Sequence, residues 1–178
     1  MRFIPALLTA SVLALSACKD ETANIDEIGK FTVEFNGENM EFISAIDKET
    51  GNSSIRTMTP GGIKLVLIDG SAGQKDDRHD LPVISLSLQG GISGGALSLS
   101  FVQVFDKSYD DVLTAEGQLG QKTLENLVIG DDGSISFDFS ADLVRIKTQS
   151  EELIPDAAGA HIEGSFSGTI PASEREEN

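Results

Sequence analysis

The stretch SISFDFSADLV, residues 134–144, alternates without a break. Ile135, Phe137, Phe139, Ala141 and Leu143 fall on one side, and Ser134, Ser136, Asp138, Ser140 and Asp142 on the other. A period of two makes a half-buried β-strand; in a helix the same residues would scatter around the circumference. The pattern recurs along most of the chain, and that restricts the fold more than any other feature.

KFTVEF (30–35) sets Phe31, Val33 and Phe35 opposite Thr32 and Glu34. Asn36-Gly37 follows, a pair that tolerates the positive φ of a hairpin turn, and MEFISAI (40–46) resumes the extended pattern. GIKLVLI (62–68) is a nearly continuous apolar run, as a central strand requires. LPVISLSLQ (81–89) places Ile84, Leu86 and Leu88 inward, with Pro82 tolerable only near its start because proline cannot donate to a ladder. GGISGG (90–95) reads as a turn, and in ALSLSFVQVF (96–105) Leu97, Leu99 and Phe101 alternate with serines. TLENLVI (123–129) is expected to pair with 134–144 through GDDG (130–133). HIEGSFSGTI (161–170) closes the series with Ile162, Gly164, Phe166, Gly168 and Ile170 inward. Single helical turns are expected within 108–120 and 150–159, the second stopped by Pro155. About eight strands, each with one apolar face, predict an all-β antiparallel β-sandwich, with a small closed, lipocalin-like β-barrel as the alternative. With no Trp, one Tyr and nine Phe, the core must come from aliphatic and phenylalanine side chains.

The first residues carry a different signal. Arg2 precedes an apolar run from Phe3 to Leu15, which is shorter than the roughly 20 residues a membrane-spanning helix needs. Leu15-Ser16-Ala17-Cys18 resembles the lipobox of bacterial lipoproteins. The resemblance implies that residues 1–17 are a cleaved signal peptide and that Cys18, the only cysteine, becomes a lipidated N-terminus. One acyl chain holds a protein to a bilayer only marginally, at about 0.8 kcal/mol per buried CH₂, so stable anchoring takes two or three. Lys19 after the cysteine, in place of the Asp that resembles an inner-membrane retention signal, favours the outer membrane. The expected organisation is a lipidated acidic tether over 18–29, a β-domain over 30–170, and a charged disordered tail over 171–178.

The net charge is −16, and the mature chain also lacks Arg2. Such a surface repels nucleic acid and anionic headgroups, which leaves the lipid to make the membrane contact. Lipidation would also remove Cys18 from thiol and metal chemistry. A hydrolase of the Ser-His-Asp type needs a histidine as base, and only His79 and His161 exist; His161 is expected on the polar face of the last strand. His79 lies in the charged segment KDDRHDLP, where Asp76, Asp77 and Asp80 accompany it as a candidate polar site. No nucleophile elbow or phosphate loop is present. No cofactor is expected; calcium would need oxygen donors, for which Asp106, Asp110, Asp111, Asp131 and Asp132 are the candidates.

The opening KFTVEFNGENMEF and the closing HIEGSFSGTI resemble a loose class of small bacterial lipoproteins with a β-sandwich domain, and that resemblance implies no catalytic residue. The leading expectation is a non-enzymatic, membrane-anchored envelope module that binds another envelope protein or a glycan. Its contact surfaces would lie at residues 70–82 and 106–122. A small carboxylate-dependent hydrolase or carbohydrate-active domain, and an apolar-ligand carrier, are the alternatives.

Overall fold

The computed structural model describes residues 24–72, 81–90 and 95–175. These residues form ten strands and no α-helix: β1 Ile25–Phe35, β2 Glu38–Asp47, β3 Ile55–Met58, β4 Leu65–Ser71, β5 Val83–Gln89, β6 Ser98–Phe105, β7 Asp111–Glu116, β8 Gln121–Ile129, β9 Ser134–Lys147 and β10 Ala160–Thr169. All pairings are antiparallel. The hydrogen-bonded order is β10-β1-β2-β4-β5-β6-β7-β9-β8, β3 adds to β4, and β9 also pairs with β10. The fold is the expected all-β antiparallel sandwich. Although the order returns on itself, it makes no even barrel, because β2 and β4 share a single pair, Ile43–Ser71.

The alternation in β9 places Ile135, Phe137, Phe139, Ala141 and Leu143 in the core as expected, each at most 3 % exposed. The rings of Phe31 and Phe166 stand 4.5 Å apart, those of Phe137 and Phe166 5.4 Å, and those of Phe31 and Phe139 6.1 Å. Edge-on and tilted contacts at these distances suit the ring quadrupoles. Asn36 and Gly37 take φ of 53° and 84°, which builds the β1–β2 hairpin turn the dipeptide predicts. The glycines of β10 bring strands together: a Cβ on Gly164 would lie 2.3 Å from the Thr32 carbonyl oxygen and 2.6 Å from the Val33 Cα. Gly168 faces Gly29 across the β1–β10 pair, and the Phe166 ring covers both.

Several expectations need correction. The Leu97-Leu99-Phe101 face does not persist, because the register between β5 and β6 shifts between Ser87 and Leu88, opposite Ser100. Beyond this bulge Val102 and Val104 are the buried residues and Phe101 is half-buried. The residues of the expected helical turn in 108–120 instead form β7, which pairs with β6 and β9, and the turn that leads into β8. In 150–159 there is a β-bridge between Leu153 and Ile146 and a turn, not a helix. The domain begins earlier than residue 30: Ile25 to Glu27 pair with Ala45 to Asp47, and Lys48 meets Asp26 at 2.7 Å. This stretch reads as tether because its acids face water, but its backbone is satisfied by β2. At the other end the described part of the tail folds back onto β3. Glu174 receives hydrogen bonds from the Thr57 amide and hydroxyl, and Arg175 Nε donates to the Ile170 carbonyl at 3.0 Å.

Candidate functional site

The thin contact between β2 and β4 has a local cause. The chain leaving β2 turns at Asp47, whose Oδ1 accepts the amides of Glu49 and Thr50 at 2.9 Å. It then inserts Ser53 and Ser54 between the two strands. The Ser54 amide donates to the Ala45 carbonyl and its own carbonyl accepts from Asp69, both at 2.8 Å. The seam is therefore polar and hydrogen-bonded, and a surface cleft of about 420 Å³ opens beside it.

One wall of the cleft centres on Asp69. Its Oδ2 accepts from Arg56 Nη2 at 3.0 Å and its Oδ1 from Ser85 Oγ at 2.6 Å, so the carboxylate is held from two sides. The lining continues along the same outer face of β4, β5 and β6 to Phe105, which pairs with Val83, and to Tyr109; the two ring centroids lie 5.3 Å apart with planes tilted by 42°. Tyr109, the only tyrosine, is 48 % exposed.

Tyr109 sits in the β6–β7 connection, and both ends of that connection are held by Arg145 of β9. Arg145 donates in a fork to Asp106, at 2.9 and 2.7 Å, and from Nη1 to Asp111. Its side chain is 14 % exposed, against 15 % for Asp106 and 30 % for Asp111. Burial alone would raise the Asp106 pKa, but the hydrogen bonds and charge of Arg145 outweigh it and hold the carboxyl below its ordinary value. The hydrogen bonds that Arg145 donates to Asp106 and Asp111 correspondingly raise its own pKa, against the effect of its burial. Within the loop the Asp110 amide donates to Ser108 Oγ at 3.3 Å, and the Asp110 carbonyl accepts the Thr148 amide at 3.0 Å.

The outer face of β2, β1, β10, β9 and β8 has a different chemistry. Register places Glu41, Thr32, Ser165, Asp138 and Glu125 in one row and Asn39, Glu34, Glu163, Ser140 and Thr123 in the next. An open groove of about 570 Å³ runs across these rows. His161 lies at its margin and is exposed, as the sequence predicts, with Nδ1 2.7 Å from Asp142 Oδ1 and Nε2 3.6 Å from Glu163 Oε2. The Asp142 hydrogen bond raises its pKa, with Glu163 adding to the effect. Both ring nitrogens thus face carboxylates rather than a hydroxyl, an arrangement that holds a proton on the ring and does not activate a serine.

Cys18 and the segment residues Asp76, Asp77, His79 and Asp80 lie outside the described residues. Of the calcium candidates, Asp106 and Asp111 converge on Arg145, while Asp110 turns its carbonyl to Thr148. Asp131 and Asp132 occupy the β8–β9 turn, where Asp132 Oδ1 accepts the Ser134 amide at 3.0 Å and Gly133 takes a φ of 86°. Hydrogen bonds from Ser134 lower the Asp132 pKa. Among the described residues no three His, Cys, Asp or Glu side chains gather as a metal site. Sequence reasoning missed Arg56, Asp69, Tyr109 and Arg145. Two signals were available for them: the only tyrosine of a chain without tryptophan, and the arginine that interrupts an apolar run at the end of β9. The chain matches no protein-family model and no curated protein.

Proposed function

We propose that this chain is a lipid-anchored envelope protein whose β-sandwich binds a ligand, without catalysis, in the cleft between Asp69 and Tyr109. The observation that carries the reading is the construction of that cleft. An exposed aromatic side chain on a clamped loop and an Arg–Asp–Ser cluster line one cleft of about 420 Å³, within the roughly 300–1,000 Å³ of small-ligand sites. Of the two segments expected from sequence to make contacts, 106–122 contributes Tyr109 to its lining. The packed phenylalanine interior gives no support to an apolar-ligand carrier.

Anchoring rests on Leu15-Ser16-Ala17-Cys18, and the early start of β1 bears on its reach. Only residues 19–24 separate Cys18 from β1, so the link spans at most about 20–25 Å. The Lys48 amide donates to the Asn24 carbonyl at 2.6 Å, and Gly51 and Asn52 line the cleft, so the cleft opens at the tethered end of the domain. Two measurements test the reading. Replacing Cys18 by Ser should move the protein from the membrane to the soluble fraction, and unchanged fractionation would refute anchoring. Crosslinked capture from the organism's own envelope should recover a component that Tyr109→Ala loses; equal recovery by both proteins would refute the cleft as the binding site.

A further inference from the structure

We infer that the ligand of this cleft is a neutral pyranose of an envelope glycan. The inference rests on the cleft being a binding site and adds the ligand's chemical class.

The first argument is the placement of the aromatic side chains. Phe31, Phe42, Phe137, Phe139 and Phe166 are core residues, at most 3 % exposed, whereas Tyr109 stands at the surface backed by Phe105. An aromatic ring held in place offers an apolar surface to the C–H face of a sugar ring, at little entropic cost because only two torsions are frozen. The second is the polar wall. A pyranose hydroxyl both donates and accepts, so adjacent hydroxyls need an acceptor and a donor side by side. Asp69 and Arg56 supply that pair 3.0 Å apart, and Ser85 fixes the carboxylate at 2.6 Å. The third is charge. The domain is strongly acidic, and the cleft adds Glu174 to the balanced Arg56–Asp69 pair, which disfavours sugar carboxylates and phosphates.

The composition supplies its own probe. With one tyrosine and no tryptophan, intrinsic tyrosine emission reports on Tyr109 alone. The full chain carrying Cys18→Ser is titrated with a tetrasaccharide of N-acetylglucosamine, a tetrasaccharide of glucose and, as an anionic comparison, a tetrasaccharide of galacturonic acid. A saturable change in emission with one of the neutral sugars, and a markedly weaker response to the anionic one, is expected. Calorimetry should show binding retained in Tyr109→Phe and reduced about tenfold or more in Tyr109→Ala and in Asp69→Asn, with unchanged circular dichroism. Failure of all three sugars to change the emission, or equal binding by Tyr109→Ala, overturns the inference. If the sugars fail while envelope capture still depends on Tyr109, the glycan assignment falls and the binding site stands. If capture is also independent of Tyr109, both fall.

Discussion

Replacing Arg145 by Met keeps the length of the side chain and removes its charge. Asp106 and Asp111 then face each other in a site where the three side chains are 15, 30 and 14 % exposed, the last value being that of the lost arginine. Breaking a fully buried pair costs roughly 3–5 kcal/mol; residual exposure and water entry bring this down to about 2–3 kcal/mol. For a domain of this size that is a fall in Tm of roughly 5–10 °C, read by circular dichroism at pH 7. The sign with pH follows from Asp106. Its folded pKa lies below the unfolded value of about 3.9, so the stabilisation is present above that pH and is lost as pH falls through the folded pKa. The gap between wild type and Arg145→Met should therefore narrow on acidification below about pH 4. Adding Asp106→Asn and Asp111→Asn to Arg145→Met should recover part of the loss at pH 7, since it removes the stranded charges. A Tm within about 1 °C of wild type, or a deficit indifferent to acid, would refute the clamp.

Thr114 Oγ1 is buried in β7 without a hydrogen-bond partner, so Thr114→Val should raise stability by about 1 kcal/mol; a lower urea midpoint would count against this. Gly164→Ala should cost about 3 kcal/mol or more, because its methyl group would strike the β1 backbone. Gly37→Ala, with open space but a φ of +84°, should cost only about 1–2 kcal/mol, and equal losses in the two melts would be inconsistent with the contact. The folded His161 pKa is raised, so its small contribution is complete below the unfolded pKa of about 6.5 and fades as pH rises through the folded value. Proton NMR of the imidazole should show that raised pKa return towards normal in Asp142→Asn.

Strand alternation was legible wherever a strand has one wet face and one dry face. It held along β9, and in β1 and β10 at Phe31, Val33, Ile162 and Phe166, which are all buried. It failed in β6 because a bulge at Ser100 exchanges the two faces, and neither serine nor its neighbours signal the extra residue. It failed again at β7, where TAEG looks helical in composition but the backbone is claimed by β6 and β9. The candidate cleft was nearly invisible because its parts come from β3, β4, β5 and the β6–β7 loop. Asp69 inside an apolar run and Tyr109 in a polar one were anomalies, but only the fold brings them together.

The pairing of β1 with β10 sets residue 29 beside residue 168, which makes the two ends of the domain neighbours. A chain that emerges N-terminus first, from a ribosome or through a membrane pore, exposes Phe31 and Val33 long before Phe166 arrives to cover them. Its β1–β2 hairpin forms early and then waits. Closure of so distant a contact is entropically slow, and the waiting interval leaves the apolar face of β1 open to wrong partners. Such a topology delays the finished domain until β10 has emerged. On the proposed route across a membrane, that delay would keep the chain in the threadable state the crossing requires.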